Sequence, residues 1–460
     1  MSMEFDQDVG TFDPQVLLDL LDSKKYSDFM HKVDDLNPID VADFFMDLPR
    51  DRQPSVFRLL KKDTAAEIFA ELDADVQGYL ILAMSEREAG VILEELFVDD
   101  AVNLLAEMPS GVVKRLLRAA TPETRAELNR FLAYPEGCAG SVMTAEFIEL
   151  KKQMNCAQAV ERIRRTGVDK ETVYVAYVTD SSRHLEGIIH LQDLLFASPE
   201  AIIEDLMDTN IVSACTHDDQ ETVATTISKY DLLALPIVDK EGRLVGIVTV
   251  DDAIDVLVEE TSEDIEKMAA IVPTDKPYLK MTVFETLKAR IPWLLLFMLL
   301  ATVTGAIISH YETALGKWIV LTSFMPMLMG TGGNAGSQSS IAVIRAMSLG
   351  EIELRDVWRV LFKEFRVSFA CGAVIAAATF VKVLAIDLLL DFSQITVALV
   401  VSISLFLTVV LAKVVGALLP ILAKKIKLDP AVMASPFITT IVDALSLVLY
   451  FEVASSVLGL

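Results

Sequence analysis

The sequence predicts a multidomain, mainly α-helical protein whose second part spans a membrane. Three observations predict this class: an apolar pattern that recurs at every twelfth position near the start, a second internal repeat in the middle, and five long apolar stretches that follow position 289. In chain order we expect an N-terminal α-helical superhelical solenoid (1–133), a tandem pair of α/β domains (134–258), an acidic connecting helix (259–288) and a five-helix transmembrane domain (289–460).

The composition divides the chain into an acidic soluble part and a nearly neutral membrane part. Hydrophobic residues make up 53% of the 460 residues, and the mean hydropathy is +0.44. Residues 291–460 contain 11 Lys/Arg and 10 Asp/Glu, whereas residues 1–290 contain 29 Lys/Arg and 56 Asp/Glu. So acidic a part repels phosphates, which argues against nucleic acid as a partner and favours cations, or solubility alone.

The cysteines and the first residues predict a cytosolic location for the soluble part. The start, MSMEFDQDVG, has neither the basic region nor the apolar core of a signal peptide. The four cysteines have no paired spacing, as expected of reduced thiols (Cys138, Cys156, Cys215 and Cys371).

The twelve-residue repeat predicts the solenoid. Its repeating positions are Leu48, Leu60, Leu72, Met84, Leu96 and Met108, and each follows an apolar pair by three or four residues. This spacing places one apolar stripe on each of a string of short helices. None of them is able to bury its stripe alone, so we expect them to stack. By themselves, Glu67, Asp99 and Asp100 on this segment are most simply solvated surface charges.

The second repeat predicts two related α/β domains. VYVAYVTDSSRHLEGIIHLQDLL at 173–195 returns as LLALPIVDKEGRLVGIVTVDDAI at 232–254, so that Asp180 matches Asp239 and Gly187 matches Gly246 at one constant offset. Each unit has the pattern helix, strand, turn, strand, helix. The pair resembles cystathionine-β-synthase-type (CBS) domains. The second copy carries the T-x-x-D element of that family as Thr249 to Asp252, whereas the first has His190 in place of the hydroxyl residue.

The CBS resemblance implies a regulatory module that senses a nucleotide. In that family the hydroxyl and the acid contact an adenosine ribose, which implies an ATP site at Thr249 and Asp252. A pair used only for dimerisation is the alternative.

The connecting segment is crowded with acids. DDAIDVLVEETSEDIEKMAAI, which begins at Asp251, is helical in pattern, and its carboxylates three and four apart repel one another. The soluble part has no compensating basic cluster, so Mg²⁺ or Ca²⁺ is the natural counter-charge. After Pro273 and Pro277, the amphipathic stretch LKMTVFETLKAR leads into the first span and is suited to the membrane surface.

The apolar stretches and their flanking charges predict the topology. The stretches are 292–310, 318–342, 366–390, 395–420 and 432–458. Basic residues precede the first span and lie in the loops between spans two and three and between four and five (Lys280, Lys288, Arg290, Arg345, Arg355, Arg359, Lys363, Arg366, Lys424, Lys425 and Lys427). The other two loops hold only Lys317 with Glu312, or the acids Asp387 and Asp391. The positive-inside rule then places the N-terminus in the cytosol and the C-terminus outside.

The second span contains PMLMGTGGNAGSQSS at 326–340. Small residues permit close helix contact or local unwinding beside a polar cavity. Helix packing explains the four glycines (Gly330, Gly332, Gly333 and Gly336) about as well as a pore does. Asn334 and Gln338 on the same stretch favour a pore lining.

Asp443 lies near the middle of the last span. A charge at that depth disfavours insertion by at least about 2.5 to 3.5 kcal/mol, so it marks an ion path, a proton relay or a buried ion pair. Lys382 is the candidate for such a pair, although it lies toward a span end, where we expect it to snorkel like Lys413. A membrane enzyme is disfavoured because neither a Ser–His pair nor a metal motif accompanies Asp443, and His310 is the only histidine in the spans.

In this order, the twelve-residue repeat, the CBS pair, the acidic helix and the spans with PMLMGTGGNAGSQ and PFITTIVD resemble the MgtE family of Mg²⁺ channels/transporters over essentially the whole chain. The resemblance implies a homodimer in the cell membrane whose pore lies on the twofold axis. The pore ligands would be Asp443, the Thr439 carbonyl and Asn334. It also implies that cytosolic Mg²⁺ closes the pore by binding Glu67, Asp99, Glu221, Asp231, Asp252, Asp255, Glu260, Glu263 and Asp264.

Two positions depart from the family pattern: Asn103, where the family has a second solenoid acid, and Ser446, where glycine often follows the pore acid. We therefore expect a Mg²⁺-selective channel/transporter for influx, closed by cytosolic Mg²⁺, and no enzyme. The alternative is a membrane-anchored CBS nucleotide sensor without transport. Oxygen ligands accept Mn²⁺, Co²⁺ and Ni²⁺ as well as Mg²⁺, so selectivity among them stays open.

Overall fold

The computed structural model describes residues 12–274, 276, 278–311, 318–390, 395–433 and 435–459. It divides into two compact units, residues 1–257 and 258–460. The outer-loop residues Glu312, Lys317 and Asp391, on which part of the topology prediction rests, lie outside the described residues, as does the side chain of Asp387.

The first unit begins with ten short helices. They are α1 (Pro14–Asp22), α2 (Tyr26–Asp34), α3 (Pro38–Asp47), α4 (Gln53–Phe57), α5 (Lys62–Ala70), α6 (Ala74–Ala83), α7 (Glu86–Glu95), α8 (Val98–Glu107), α9 (Ser110–Ala119) and α10 (Pro122–Phe131). From α5 onward a new helix begins at every twelfth position, which is the period of the apolar repeat. The prediction of a string of short helices is confirmed.

The helices pack on their next-but-one neighbours: α3 on α5, α5 on α7, α7 on α9, α4 on α6, α6 on α8 and α8 on α10. The rings of Phe45, Phe57 and Phe69 continue from one repeat to the next, with centroids 5.9 and 6.0 Å apart in edge-on contacts. The side-chain amide of buried Gln53 donates to the carbonyl oxygens of Phe45 and Leu48, at 2.9 and 3.1 Å, which satisfies carbonyls at the end of α3.

Two three-stranded sheets follow. The elements are α11 (Ala139–Val142), β1 (Ile148–Leu150), α12 (Cys156–Thr166), β2 (Val175–Thr179), β3 (Leu185–His190), α13 (Leu191–Phe196), α14 (Ile203–Leu206), β4 (Ala214–Cys215), α15 (Gln220–Tyr230), β5 (Ala234–Val238), β6 (Leu244–Thr249) and α16 (Val250–Met268). The strand orders are β1-β2-β3 and β4-β5-β6, in which the first pair of each sheet is parallel and the second antiparallel.

The two sheets repeat each other at the offset that the sequence repeat predicts. The antiparallel pair β2–β3 matches β5–β6, and a register irregularity recurs at Val178/Thr179 and Ile237/Val238. Side chains from both sheets, among them Tyr177 and Ile247, share one buried cluster. The short parallel strands β1 and β4 are additional to the prediction, because strands of three and two residues have too little pattern to be recognised.

The acidic connecting helix is shorter than the predicted range 259–288. Helix α16 ends at Met268, and Ala270 has φ +55°, a left-handed conformation that ends a helix. The next helix, α17 (Val283–His310), begins with a capping box in which Thr282 and Glu285 bond each other's backbone N–H groups. The amphipathic stretch therefore becomes the first two turns of the first membrane helix.

The remaining long helices are α18 (Met325–Ser348), α19 (Val357–Leu390), α20 (Ile395–Lys425) and α21 (Ser435–Leu458), with 3₁₀ turns at Ile319–Phe324, Leu354–Asp356 and Pro430–Met433. Among the described residues, four segments are long and apolar enough to cross a membrane: Val283–His310, Leu354–Ala385, Ile395–Lys425 and Ser435–Leu458. Helix α18 has 24 residues but is not among these four segments, since its Gly, Ser, Asn and Gln residues make it less apolar.

In this unit α18 packs on α20 and α21, α19 packs on α20, and α17 packs on α21. The Tyr311 hydroxyl, just after α17, donates to Glu452 near the end of α21 at 2.6 Å. Helices α18 and α20 cross at Gly336 and Gly416, where a methyl group on Gly416 would clash with the carbonyl oxygen of Gly336. Small residues at this crossing allow the two backbones to touch.

Candidate functional site

The intramembrane carboxylate Asp443 lies on α21 and is half-buried in the single chain. The alternative of an ion pair with Lys382 is not supported, because the ion pairs of the described residues include none between them and Lys382 Nζ lies 3.7 Å from Met327 Sδ. Helix α21 packs against the glycine-rich helix α18, so the helix that carries Asp443 is the neighbour of the span that is richest in polar residues.

Glycines of α18 bring its backbone against the helix that carries Asp443. A methyl group on Gly333 would lie 3.0 Å from Thr439 Cγ2, and one on Gly332 would lie 2.9 Å from Ser446 Oγ. The packing explanation is therefore confirmed for Gly332, Gly333 and Gly336, whereas Gly330 has open space around it in the described part of the chain. Ser446 fills the space beside Gly332 and is 1% exposed.

The other face of α18 carries a polar stripe. Gly330, Asn334 and Gln338 follow one another at a spacing of four and are exposed, while Ala335 and Ser337 beside them are buried. An exposed amide stripe at membrane depth needs water or protein partners, because lipid offers no hydrogen bonds. The third predicted pore residue, Thr439, is half-buried and its Oγ1 donates to the Pro436 carbonyl at 2.9 Å, one turn before Asp443.

A second candidate site is an acidic cluster in the first unit. It joins Asp99 and Asp100 on α8 with Asp252 on α16, and with Glu146 and Glu171, which come from the loops before β1 and after α12. Asp99 is 7% exposed, and its Oδ1 has no hydrogen-bond partner in the described structure. The prediction that Asp99 and Asp100 are merely solvated charges is wrong, since both are drawn into this cluster.

Burial and mutual repulsion perturb these carboxylates. Burial, with the charge of Asp252 next in effect, raises the pKa of Asp100 to about 6 and that of Glu171 to about 7. Burial and the charges of Asp100 and Asp252 raise the pKa of Asp99 well above its usual range. A cluster that holds protons this tightly is poorly compensated, so cations of any kind will stabilise it.

The cluster is not a preformed metal cage. No group of three or more Asp, Glu, His or Cys side chains within the described ranges is close enough to hold a metal ion together. Glu67 is exposed on α5, and Glu71, one turn later, is the residue whose pKa is raised by burial and by Asp255. Asn103 is exposed one turn after Asp99.

The remaining predicted regulatory residues are spread over α15 and α16. Glu221 is half-buried in the first turn of α15, and Asp231 ends that helix in a left-handed conformation at φ +51°. On α16, Asp255 is exposed, whereas Glu260, Glu263 and Asp264 are half-buried. Within the described part of the first unit, Glu221, Asp231 and Asp255 form no metal-binding group with Asp99.

The nucleotide candidates are adjacent. The hydroxyl of buried Thr249, at the end of β6, donates to Asp252 Oδ2 at 2.5 Å. Burial raises the pKa of Asp252, although the Thr249 hydrogen bond opposes that shift. Asp252 thus belongs both to the T-x-x-D element and to the acidic cluster. His190 occupies the matching position at the end of β3 and is exposed.

In the second unit, a lysine bridges the acidic helix and the turn before α21. Lys267 Nζ lies 2.8 Å from Glu263 Oε1 and 2.7 Å from Asp429 Oδ2. Burial by itself lowers the pKa of Lys267, but the hydrogen bonds to Asp429 and Glu263 outweigh it, and the net pKa is raised. Burial and the charge of Asp429 raise the pKa of Asp264. Two carboxylates therefore contact one ammonium group, and the charge of Asp264 lies nearby.

Sequence reasoning missed several of these residues: Glu71, Glu146, Glu171, Lys267 and Asp429. Glu146 and Glu171 lie far apart in the chain, and a backbone hydrogen bond from Glu171 N to the Glu146 carbonyl, 3.0 Å long, brings them together. No local periodicity signals such a pair. Lys267 was the one missed residue that could have been noticed in the sequence, because it is the single basic residue near the end of an acidic helix.

Profiles of known protein families match most of the soluble part and most of the membrane part of the chain. The profile described as "Divalent cation transporter" (MgtE) matches residues 325–453, and that of the MgtE intracellular N domain matches residues 36–137. The CBS domain profile matches twice, at residues 139–200 and 203–259.

Individual relatives agree. The chain is 34% identical over 452 residues to a magnesium transporter MgtE of Bacillus subtilis, and this alignment covers 97% of this chain and 98% of the relative. It is 35% identical to a magnesium transporter MgtE of Thermus thermophilus, over 92% of this chain and 93% of the relative. Among solved structures, the cytosolic domain of the Mg²⁺ channel MgtE in complex with ATP matches with a TM-score of 0.51 and 33% identity, over 53% of this chain and 100% of that one.

Proposed function

Because this chain belongs to the MgtE family of magnesium transporters, we propose that it carries Mg²⁺ into the cell as a homodimeric, Mg²⁺-selective channel/transporter that cytosolic Mg²⁺ closes. The chain is a multi-pass membrane protein of the family, and Mg²⁺ is its transported substrate. The single observation that carries the proposed pore is the position of Asp443 on the helix that packs against glycine-rich α18, a helix whose Asn334 and Gln338 side chains are exposed.

The proposed architecture follows the four predicted parts. Residues 1–133 form the solenoid, 134–258 the CBS pair, 259–288 the connecting segment and 289–460 the transmembrane domain. Helix α18 brings the number of spans to five and is the second of them along the chain: its 24 residues reach about 36 Å, enough to cross the hydrocarbon layer. An odd span count places the N-terminus in the cytosol and the C-terminus outside, in accord with the basic loops.

In the proposed pore, two copies of Asp443 face each other across the twofold axis. Mg²⁺ gives up its waters reluctantly, so a site with two carboxylates and room for a hydrated ion suits it better than a dehydrating cage. The Thr439 carbonyl and the Asn334 amide supply further oxygen groups for those waters. The negative pair favours cations over anions.

In the proposed regulation, Mg²⁺ draws the acidic groups together and closes the pore. The ligands are Glu67, Asp99, Glu221, Asp231, Asp252, Asp255, Glu260, Glu263 and Asp264. The raised pKa values of Asp99, Asp252 and Asp264 support this, because uncompensated carboxylates repel one another until a cation joins them. A closed state that binds several Mg²⁺ ions more tightly than the open state gives a steep response.

Nucleotide binding is a second proposed regulatory input. A relative with 33% identity was solved with ATP on its cytosolic domain. In this chain the Thr249 hydroxyl and the Asp252 carboxylate at the end of β6 provide the ribose-binding pair. We propose ATP binding at the second CBS domain only, because His190 replaces the hydroxyl residue in the first.

The decisive experiment measures Mg²⁺ influx into liposomes that contain purified protein. Asp443→Asn is expected to abolish influx, whereas Glu452→Gln, which neutralises an exposed carboxylate near the end of the same helix, is the matched control and should retain it. Influx at the native rate in Asp443→Asn would exclude Asp443 as the pore acid. Absence of influx with the native protein would favour the sensor without transport.

The gating proposal has its own test. In patch recordings, the combined variant Glu260→Gln, Glu263→Gln and Asp264→Asn is expected to stay open at Mg²⁺ concentrations that close the native protein. Unchanged closure would remove the connecting helix from the regulatory mechanism.

A further inference from the structure

One lysine is buried inside the membrane-spanning bundle. Lys413 on α20 is 7% exposed and lies about 18 Å along the helix axis before the last residue of that helix, Lys425. From its position in the sequence we expected the ammonium of Lys413 to snorkel to the cytosolic surface. That prediction is wrong: the ammonium stays among the helices. A buried charge of this kind persists only when other groups compensate it.

A hydroxyl group connects Lys413 to a carboxylate on a third helix. Lys413 Nζ donates to Ser339 Oγ at 3.4 Å, and Ser339 Oγ donates to Glu364 Oε2 at 2.6 Å. A hydroxyl has one proton to donate and lone pairs to accept, so both bonds form at once. One side chain of α18 thus joins an ammonium of α20 and a carboxylate of α19 in a network whose net charge is zero.

The same turn of α18 is held on its other sides as well. Ser337 Oγ lies 3.0 Å from Ser435 Oγ at the start of α21, and Ser340 Oγ donates to the Met433 carbonyl at 2.8 Å. Of the four residues from Ser337 to Ser340, only Gln338 is exposed. The turn therefore has a polar attachment to each of the three neighbouring helices or the turns that lead into them.

These attachments act together with the packing of α18. Its glycines lie so close to α20 and α21 that a residue with a side chain in their place would clash, which already disfavours rotation of the helix about its axis. A change of register by one residue turns a helix face by about 100°. The polar contacts at Ser337, Ser339 and Ser340 oppose such a rotation.

We propose that Lys413, Ser339 and Glu364 are positioning residues for Mg²⁺ passage: their network sets the rotation of α18, so that Asn334 and Gln338 face the ion path. This inference rests on the proposed function of α18 as the pore-lining helix. The network lies on the cytosolic side of Asp443, since its turn contacts Ser435, eight residues before Asp443. It acts on the path through helix orientation and does not touch the ion.

The direct test measures the accessibility of position 338. Gln338→Cys is made in a background in which the four native cysteines are replaced by alanine, and its reaction rate with a charged, membrane-impermeant thiol reagent is measured in proteoliposomes. The rate constant does not depend on how much protein is folded, so it separates orientation from stability.

We expect Gln338→Cys to react, and Lys413→Met or Glu364→Gln in the same chain to slow that reaction about fivefold or more, because each leaves one charge without its counter-charge. The double variant Lys413→Met with Glu364→Gln is expected to react slowly as well, but with less slowing than the product of the two single effects, because the second substitution acts on a network that is already broken. Lys424→Met, at the exposed end of the same helix, is the control and should leave the rate unchanged. No reaction in the parent, or equal rates in all variants, would overturn the inference.

Influx measurements distinguish a failure of this inference from a failure of the proposed function. Each single-charge variant is expected to lower the initial Mg²⁺ influx about tenfold, and the double variant to lower it by less than the product of the two single effects. If Asp443→Asn transports like the native protein, the proposed pore is wrong. If Asp443→Asn is inactive but the single-charge variants transport and label like the native protein, only the positioning network is wrong.

Discussion

Asp100→Asn is expected to stabilise the soluble part of the protein when divalent cations are absent. Asp100 lies in the acidic cluster, where burial and then the charges of Asp252, Glu71 and Glu146 raise its pKa from 3.8 to about 6. Because the folded state holds this proton more tightly than the unfolded chain, the ionised carboxylate destabilises the fold. The asparagine variant has a similar shape and no charge, so it removes that penalty.

The size of the effect follows from the pKa. A displacement from 3.8 to about 6 corresponds to about 3 kcal/mol at full ionisation, since each tenfold change in proton affinity is about 1.4 kcal/mol. Solvent screening at this partly exposed position reduces the gain to about 2 kcal/mol. For a fragment of this size that is an increase in melting temperature of roughly 4 to 8 °C.

The sign of the pH dependence is fixed by the raised pKa. Below about pH 3.8 the carboxyl is protonated in both states, so native protein and variant have equal contributions from this position. The native protein loses stability relative to the variant as the pH rises through about 6, and the difference is constant above about pH 7. Mg²⁺ is expected to shrink the difference, because the cation compensates the native carboxylate and has less to compensate in the variant.

The assay is thermal unfolding of the soluble fragment 1–270, by circular dichroism, at pH 4 and pH 8 and with and without Mg²⁺. This fragment corresponds to the cytosolic domain that was solved on its own for a relative. Asp43→Asn, which neutralises an exposed carboxylate on α3, is the matched control and should melt like the native fragment. A variant that melts at or below the native temperature at pH 8 without Mg²⁺ would refute the reasoning, as would a difference that persists at pH 4.

Three further predictions concern other parts of the chain. Gly416→Ala should lower the melting temperature and the Mg²⁺ influx of the full chain, because the added methyl group clashes with the backbone of α18. Gly305→Ala should change neither quantity, because Gly305 has open space around it among the described residues. Lys267→Met should raise the Mg²⁺ concentration that half-closes the channel in patch recordings by about threefold. The reason is that the acidic helix loses its ion pair to Asp429, which contributes about 0.7 kcal/mol to the conformation in which Lys267 and Asp429 meet. An unchanged or lower concentration contradicts this. Thr249→Val should weaken ATP binding to the soluble fragment about tenfold in calorimetry, since one ribose hydrogen bond is lost, and native affinity would place the nucleotide elsewhere.

Local patterns in the sequence were sufficient for most of the elements and for their order. The apolar repeat corresponds to helices that begin at every twelfth position, and the longer repeat corresponds to β2–β3 and β5–β6. Both are patterns of burial along a continuous stretch, and burial along a helix or strand is periodic in the sequence itself. The strands β1 and β4 were not predicted, because a strand of two or three residues is too short to show an apolar periodicity. They form by pairing with β2 and β5.

The intramembrane site was predictable for a different reason. A central carboxylate such as Asp443 stands out against an apolar span, and so do four glycines with Asn334 and Gln338. Their identities were evident, but which glycines serve packing was not. That depends on the neighbours of each glycine: Gly332, Gly333 and Gly336 meet α20 or α21 closely, whereas Gly330 does not.

By itself, then, the sequence determined the order of the parts, the family and the unusual residues of the spans, because these depend on composition and spacing along the chain. Only the tertiary structure decided which charges meet. Asp99 is drawn together with Glu171 from another domain, Lys267 reaches Asp429 from a distant part of the chain, and Lys413 is compensated through Ser339 on a different helix. Charge–charge contacts depend on distances of a few ångströms in space, and no spacing along the chain encodes them.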